Sequence, residues 1–571
     1  MQRVSAPKGC SAWVRRRLSS SAHALSATAR HPSLLRAQLS FGATWTAEAA
    51  FTAAIGVVAF HDGGATAVGV VVFARLAPTA LFTPFGAALG DRFLRDRVLL
   101  VSALVRAAAG VGIVAVLVSG GPHLAVYVLA VISTMAFRLF RPTHSALLPA
   151  LCRTPFELST ANVVRGMIDS VSTLVGPLGA ALILYLASPT AVFATSAALA
   201  LTSGALLLRL SYEAPPRGRP DPLRRIAREA VEGFQALTRY RDAGLLIWLS
   251  LTSSLTQGFL TVFVVVLAFD ELGLGGPGVG LLNGAVGAGA VAGSFVASMF
   301  VTGRRLAVLE GLGVLLFAVP LSLCGVLPLA PVVLTMMCVN GIGMALVDIG
   351  LHTLPARLVP EDMLARIFGV KGSLTALAGA AGAFITPFAI HLLGIRGALV
   401  ALGLIAPALT ALAWGRLRTI DAAIQQRDAE IAVLNRVPMF GPLPMPAIDG
   451  LALCVEQVRI EAGDVVCLQG DDADRFYLIE GGAAEVIGDG RLVRTLDPGD
   501  GFGEIALLGD TSRTATVRAR TALRLYAVDG HQFRSSVSGY PSSRREAEAV
   551  VRDRLSAFAP DDGEATSPPG R

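Results

Sequence analysis

The run Gly503-Glu504-Ile505-Ala506-Leu507-Leu508-Gly509-Asp510-Thr511-Ser512-Arg513-Thr514-Ala515 brings together groups that can recognise a small anion. Arg513 can grip a compact monoanion with two parallel N–H donors. Backbone N–H groups at the start of a short helix, from Gly503 to Leu508, can supply the remaining donors. Glu504 adds a strong hydroxyl acceptor, and Gly503 lets the backbone approach closely because it carries no Cβ. Thr514 and Ala515 would flank the bound group. This is binding chemistry rather than catalysis: no nucleophile-elbow, phosphate-loop or metal-ligand pattern stands out, so no enzymatic activity is expected.

A second set of chemically capable residues sits in strongly apolar surroundings. A charge at the middle of a membrane helix costs about 2.5–3.5 kcal/mol on insertion scales, so each such residue is a functional candidate. Glu48, within Thr44-Trp45-Thr46-Ala47-Glu48, is the preferred proton carrier and Asp348 the next, with Arg75 or Arg106 as partners for either. The alternative is ion pairing that only holds a helix bundle together. Asp169 follows Arg165 by one helical turn, which favours a local ion pair. Glu310 lies near a helix entrance and is expected to be solvated. His144 and His531 have no neighbours at ligand spacing and read as surface or loop residues. Cys10, Cys152, Cys324, Cys338, Cys454 and Cys467 form no C-x-x-C pair, so neither a disulfide framework nor a zinc site is suggested.

The elements that must position these residues follow from composition. The chain has 571 residues, 53% hydrophobic and only 16% charged, with a net charge of +7. Its mean hydropathy is +0.62, outside the range of soluble globular chains. Residues 1–35 are basic, rich in serine and without acids. They lack the apolar core of a secretory signal and read as a disordered leader. From Phe41 to about Arg416 come twelve apolar stretches, the first at 41–60 and the last at 396–415, each near the roughly 20 residues that cross a bilayer. Arginines mark alternate connections (Arg92, Arg95 and Arg97; Arg141 and Arg153; Arg304 and Arg305; Arg357 and Arg366). The intervening connections carry only Arg396, so the arginine-rich loops and both termini are expected inside the cell.

The long basic stretch 211–242 divides the spans into halves at 36–210 and 243–417. Pro149-Ala150 recurs as Pro355-Ala356, Leu158 as Leu364, Arg165-Gly166 as Lys371-Gly372, and Gly176 as Gly382, all at one constant offset. Two parallel six-span repeats follow. Residues 418–438 then carry Ile420, Ile424, Ile431, Leu434 and Val437 at helical spacing, an amphipathic linker that is either a spacer or a route for movement. Residues 439–558 switch to short β-branched runs broken by Gly and Asp, the pattern of a small β-roll. Pro541 to Phe558 reads as a helix after the roll, and 559–571 as a disordered tail. The expected fold is therefore an all-α polytopic membrane protein in two six-helix halves, followed by a cytoplasmic β-roll with flanking helices.

On these residues the chain resembles two families. Leu89-Gly90-Asp91-Arg92-Phe93-Leu94-Arg95 is similar to the loop after the second span of the major facilitator superfamily. The resemblance implies that Asp91, Arg92 and Arg95 form a cytoplasmic gate. Gly176-Pro177-Leu178-Gly179 is a degenerate form of an element found in drug and proton antiporters, and reads equally as a structural kink. The runs from Pro149 to Asn162 and Val359-Pro360-Glu361-Asp362 resemble the bacterial branch that exports siderophores and macrolides. Residues 437–556 resemble the cyclic nucleotide-binding domain. That resemblance implies that Arg513 and the Ala506 N–H hold the cyclic phosphate, that Glu504 takes the ribose 2′-hydroxyl, and that Gly503, Ile505, Thr514 and Ala515 complete the site. Ser512 replaces a proline common in that family, and Thr514 leaves the choice between cAMP and cGMP open.

Together these imply a proton-coupled exporter of small hydrophobic molecules in a bacterial inner membrane, regulated by cAMP or cGMP. No other cofactor is expected. The expected partners are the lipid bilayer, a cyclic nucleotide and a small-molecule transport substrate, with no nucleic acid. A membrane signalling receptor that keeps the transporter fold without moving substrate is the alternative.

Overall fold

In the computed structural model, the residues described are 31–152, 154–208, 210, 223–300, 305–359, 361–452 and 454–556. They fall into two compact units that divide after Asp421. Residues 1–30 and the tail after Ser556 lie outside the described residues, and the end of the expected disordered leader, from Pro32, is already helical.

The first unit is helical. Its elements are α1 (Pro32–Arg92), α2 (Arg95–Val118), α3 (His123–Leu151), α4 (Pro155–Leu186), α5 (Pro189–Leu207), α6 (Leu223–Arg239), α7 (Arg241–Val266), α8 (Gly275–Phe300), α9 (Leu306–Val326), α10 (Ala330–Leu358) and α11 (Glu361–Leu434), whose residues after Asp421 belong to the second unit. Among the described residues, ten helices are long and apolar enough to cross a membrane. Two of them are double. α1 breaks at Gly63 and Gly64, where Gly64 has φ 59°, and α11 breaks at Gly394, with φ 71°. Only glycine takes such angles without strain. Counting each double helix as two spans gives the twelve read from the sequence.

Small residues bring the helices close, as expected where lipid offers no hydrophobic drive between helices. α8 and α10 pack so tightly that a Cβ on Gly289 would collide with the Cys338 carbonyl, and one on Gly341 with that of Val286. The stretch 211–242 is more than a loop, because its second half forms α6. Ala236 and Leu237 are buried against Ile247, Val359, Ile367 and Val370. Glu232 pairs with Arg366 at 2.7 Å and with Arg228 at 2.8 Å. Apolar residues on one face of α6, hidden among the arginines, account for the difference.

The second unit holds two four-stranded antiparallel sheets, ordered β1-β8-β3-β6 and β2-β7-β4-β5. The strands are β1 (Glu456–Ile460), β2 (Val465–Cys467), β3 (Arg475–Gly481), β4 (Ala484–Gly488), β5 (Arg491–Leu496), β6 (Gly501–Phe502), β7 (Thr516–Ala519) and β8 (Leu523–Asp529). Inward residues such as Ile479, Val486, Leu496, Val517 and Leu525 fill the roll. The helices α12 (Met445–Ala452), α13 (Glu504–Gly509), α14 (Gly530–Ser538) and α15 (Pro541–Ser556) flank it. Phe440, Phe476 and Phe533 pack ring against ring, with Phe476 and Phe533 stacked at 4.8 Å. Ile431, Leu434 and Val437 join that cluster, so the end of the expected linker contributes to the core of the second unit.

Candidate functional site

The pocket of the second unit is built around α13. Strand β6 ends at Phe502, and Gly503 then turns the chain with φ 96° into the helix Glu504–Gly509. A Cβ at Gly503 would strike the Arg513 guanidinium, so glycine is required here both by conformation and by space. Arg513 is 4% exposed. Its Nη2 donates to the Arg475 carbonyl at 2.7 Å and to Asp474 at 3.2 Å, its Nη1 to the Gly503 carbonyl at 3.4 Å, and its plane lies over the Tyr477 ring. Two of the three oxygens are uncharged carbonyls and Asp474 is largely exposed. The guanidinium is thus oriented with most of its positive charge still available.

Glu504 is 1% exposed. Its Oε1 accepts from Arg554 Nη1 at 2.7 Å, while Oε2 is buried with no hydrogen-bond partner. An unpaired buried carboxylate oxygen is costly. It fits a site that awaits a donor such as a ligand hydroxyl.

The cavity between these groups has a volume of about 60 Å³. Gly503, Glu504, Ile505, Ala506, Arg513, Thr514 and Ala515 all line it, so every sequence-derived residue of this site comes together. Sequence reasoning missed Arg554, Arg494 and Cys467, which line it too. Arg554 arrives from α15 and also donates to the Gly501 carbonyl at 2.6 Å. Burial raises the Cys467 thiol above its ordinary value, with Arg513 opposing. Burial, then Asp474, raises the Tyr477 phenol.

In the first unit, Glu48 of α1 meets two arginines at once: Arg75 Nη2 at 3.0 Å and Arg106 Nη2 at 3.0 Å. Arg75 also donates from Nε to Thr134 Oγ1 at 2.9 Å and sits over the Phe51 ring. Arg106 donates to the Thr44 carbonyl at 3.2 Å and faces the Phe137 ring. Both arginines anticipated as partners are therefore on the same carboxylate. Asp348, the other candidate, is exposed on α10 and interacts electrostatically with Lys371 and Asp169.

Other expectations change. Asp169 meets Arg141 at 3.6 Å, whereas Arg165 turns to Ser145. Glu310 is fully buried rather than solvated, with Ser250 Oγ at 3.4 Å and Oε2 unpartnered, because α9 begins at Leu306 and draws its first turn among its neighbours. His144 is buried between Phe41 and Phe140, and its Nε2 lies 3.1 Å from the Ala37 carbonyl. Of the gate residues, Arg95 donates to the Ala146 carbonyl at 2.7 Å. The side chains of Asp91 and Arg92 lie outside the described residues.

The major facilitator superfamily model matches residues 38–383, more than half of the chain. The chain belongs to the major facilitator superfamily. A cyclic nucleotide-binding domain model matches residues 457–540 of this multi-pass membrane protein. The cAMP-dependent protein kinase regulatory subunit of Schizosaccharomyces pombe is 40% identical over 114 residues, 20% of this chain and 28% of that one. An uncharacterised protein of Mycobacterium tuberculosis is 37% identical over 135 residues, 23% of this chain and 26% of that one. The chain spans about a quarter of the length of these curated relatives. Among solved structures, the regulatory domain of Toxoplasma gondii PKA with cAMP matches at 29% identity and TM-score 0.20, over 21% of this chain and 48% of that one.

Proposed function

We propose that this transporter is a proton-coupled exporter of small hydrophobic molecules in a bacterial inner membrane, with both termini cytoplasmic, and that a cyclic nucleotide bound to its C-terminal domain changes its rate. The observation that carries the regulatory half is the incompletely satisfied state of Arg513 and Glu504. The arginine is fixed mainly by neutral carbonyls, and the glutamate keeps one buried oxygen unpaired. An anionic phosphate with an adjacent hydroxyl donor satisfies both. The regulatory subunits of cAMP-dependent kinases among the relatives favour cAMP over cGMP. Arginine-rich alternate loops support the orientation, which puts the pocket where such nucleotides are made.

Glu48 is the proposed coupling carboxylate. Both its oxygens are engaged by guanidiniums, so taking up a proton requires the release of at least one arginine. Since Arg75 and Arg106 ride on different helices, proton uptake would be tied to helix movement. Asp348 is the second candidate. Residues 418–438 join transporter to sensor along the chain, and nucleotide binding can bias transport only as far as it favours one transporter conformation.

Everted membrane vesicles carrying the full chain, energised with a proton gradient and offered a panel of hydrophobic fluorophores, test this reading. Uptake that collapses with the gradient, and that loses its proton dependence in Glu48→Gln, is expected. Nucleotide binding with no flux of any compound would instead support a receptor.

A further inference from the structure

We propose that the arginine cluster in the N-terminal half is a binding site for an anionic group, so that the transported molecule is an amphipathic organic anion: a carboxylate, sulfonate or phosphate ester on an apolar body. This deepens, and rests on, the transport reading above.

The charges do not balance. Arg75, Arg106 and Arg138 lie in the middle stretches of three helices, and all three interact electrostatically with a single carboxylate, that of Glu48. Each intramembrane charge carries a substantial cost, and a cluster that only held the bundle together would be expected to pair its charges evenly. Here two guanidiniums contact one carboxylate, and Arg138 adds a third positive charge in its field. Arg106 Nε is also buried without a hydrogen-bond partner, on a side chain 4% exposed. Arg138 is exposed one helical turn beyond Thr134, the residue that orients Arg75. The cluster therefore holds unused N–H donors and unbalanced positive charge together, the combination that recognises carboxylate, sulfonate or phosphate oxygens.

Beside it lies the apolar part of the site. Arg75 Nη2 reaches Thr52 Oγ1 at 3.4 Å, and Thr52 opens onto a cavity of about 90 Å³. Val68, Val72 and Val265 give this cavity apolar walls, and Gln257 and Asn283 of the other half add neutral polar groups. Among the described residues no charged side chain, acidic or basic, lines it, so the charge beside it is that of Arg75 behind Thr52. The neutral cavity would take the apolar body, and the anionic group would reach past Thr52 to Arg75 and take over the role of Glu48.

The test uses the purified full-length chain and three probes with one naphthalene body: a sulfonate, a neutral amide and a quaternary ammonium. Binding is followed by fluorescence anisotropy, and flux in everted vesicles. The sulfonate is expected to bind and move in preference to the other two. Arg75→Gln and Arg138→Gln should each weaken its binding about tenfold or more. Glu48→Gln should strengthen it severalfold by removing the competing carboxylate, whereas a purely structural role predicts weakening. Arg138 makes no contact with Glu48 as close as those of Arg75 and Arg106, so its variant keeps the test valid if Arg75→Gln fails to fold. Equal binding of amide or ammonium, no binding of any probe, or unchanged sulfonate binding in the arginine variants would overturn the proposal. Sulfonate binding without flux would overturn the transport reading and leave the anion site standing. Flux of the amide or ammonium without sulfonate binding would do the reverse.

Discussion

Two buried sites in this chain use the same pair of residue types to opposite effect. In the membrane half, both Glu48 oxygens are consumed by arginines. In the sensor, Arg513 leans chiefly on neutral carbonyls and Glu504 keeps one oxygen unpaired. A carboxylate whose oxygens are already satisfied stabilises the resting protein, and something must be displaced before it can act. A carboxylate with a buried free oxygen carries a cost in the empty state that a ligand can relieve. On the proposed function, the difference separates a site that must move from one that must be filled.

Substitutions should expose this contrast, the largest effect coming from the membrane cluster. Glu48→Ala leaves two buried guanidiniums without their counter-ion and should lower stability by about 3–5 kcal/mol, seen as a large drop in the unfolding temperature of the detergent-solubilised chain. If stability were unchanged, the cluster would not be the paired resting state described. Arg513→Ala should instead cost little stability but about 3 kcal/mol of nucleotide affinity, more than a hundredfold by calorimetry. Glu504→Gln should retain the fold and lose about tenfold in affinity, because a neutral amide is a weaker acceptor for a hydroxyl. Arg554→Ala, which leaves the Glu504 charge unopposed beside the phosphate, should weaken binding by about 1 kcal/mol. The smallest effect is chemical: with its thiol raised by burial, Cys467 stays protonated at neutral pH. It should react with iodoacetamide more slowly than the exposed Cys454, and more slowly still with nucleotide bound.

How much could be read from the sequence differs between the two sites for the same physical reason. The sensor's contacts are local. Gly503 to Ala515 form one turn, one short helix and one return, so residue type and spacing already contain the geometry. Arg554 escaped because it comes from a helix beyond three intervening strands and helices, and nothing in Arg552-Asp553-Arg554 distinguishes it from a solvated charge. In the membrane half, Glu48 could be singled out by the cost of its charge, but Arg75 converges on it from the far side of the α1 break and Arg106 from α2, and spacing cannot choose between them. Glu310 and His144 were misread because position within a span does not say which face meets lipid, a neighbouring helix or water. The twelve spans and the two-fold repeat were legible because apolar length and recurring Pro-Ala and Gly positions survive without knowledge of packing.

The central claim is that filling the Arg513–Glu504 pocket changes what the membrane half does. Its most direct test is the rate of proton-driven probe flux in everted vesicles with and without cAMP, in the unaltered chain and in Arg513→Ala. A rate change on adding cAMP to the unaltered chain, absent in the variant, is the predicted result. Flux that stays the same while cAMP demonstrably binds, or that changes equally in Arg513→Ala, would contradict it.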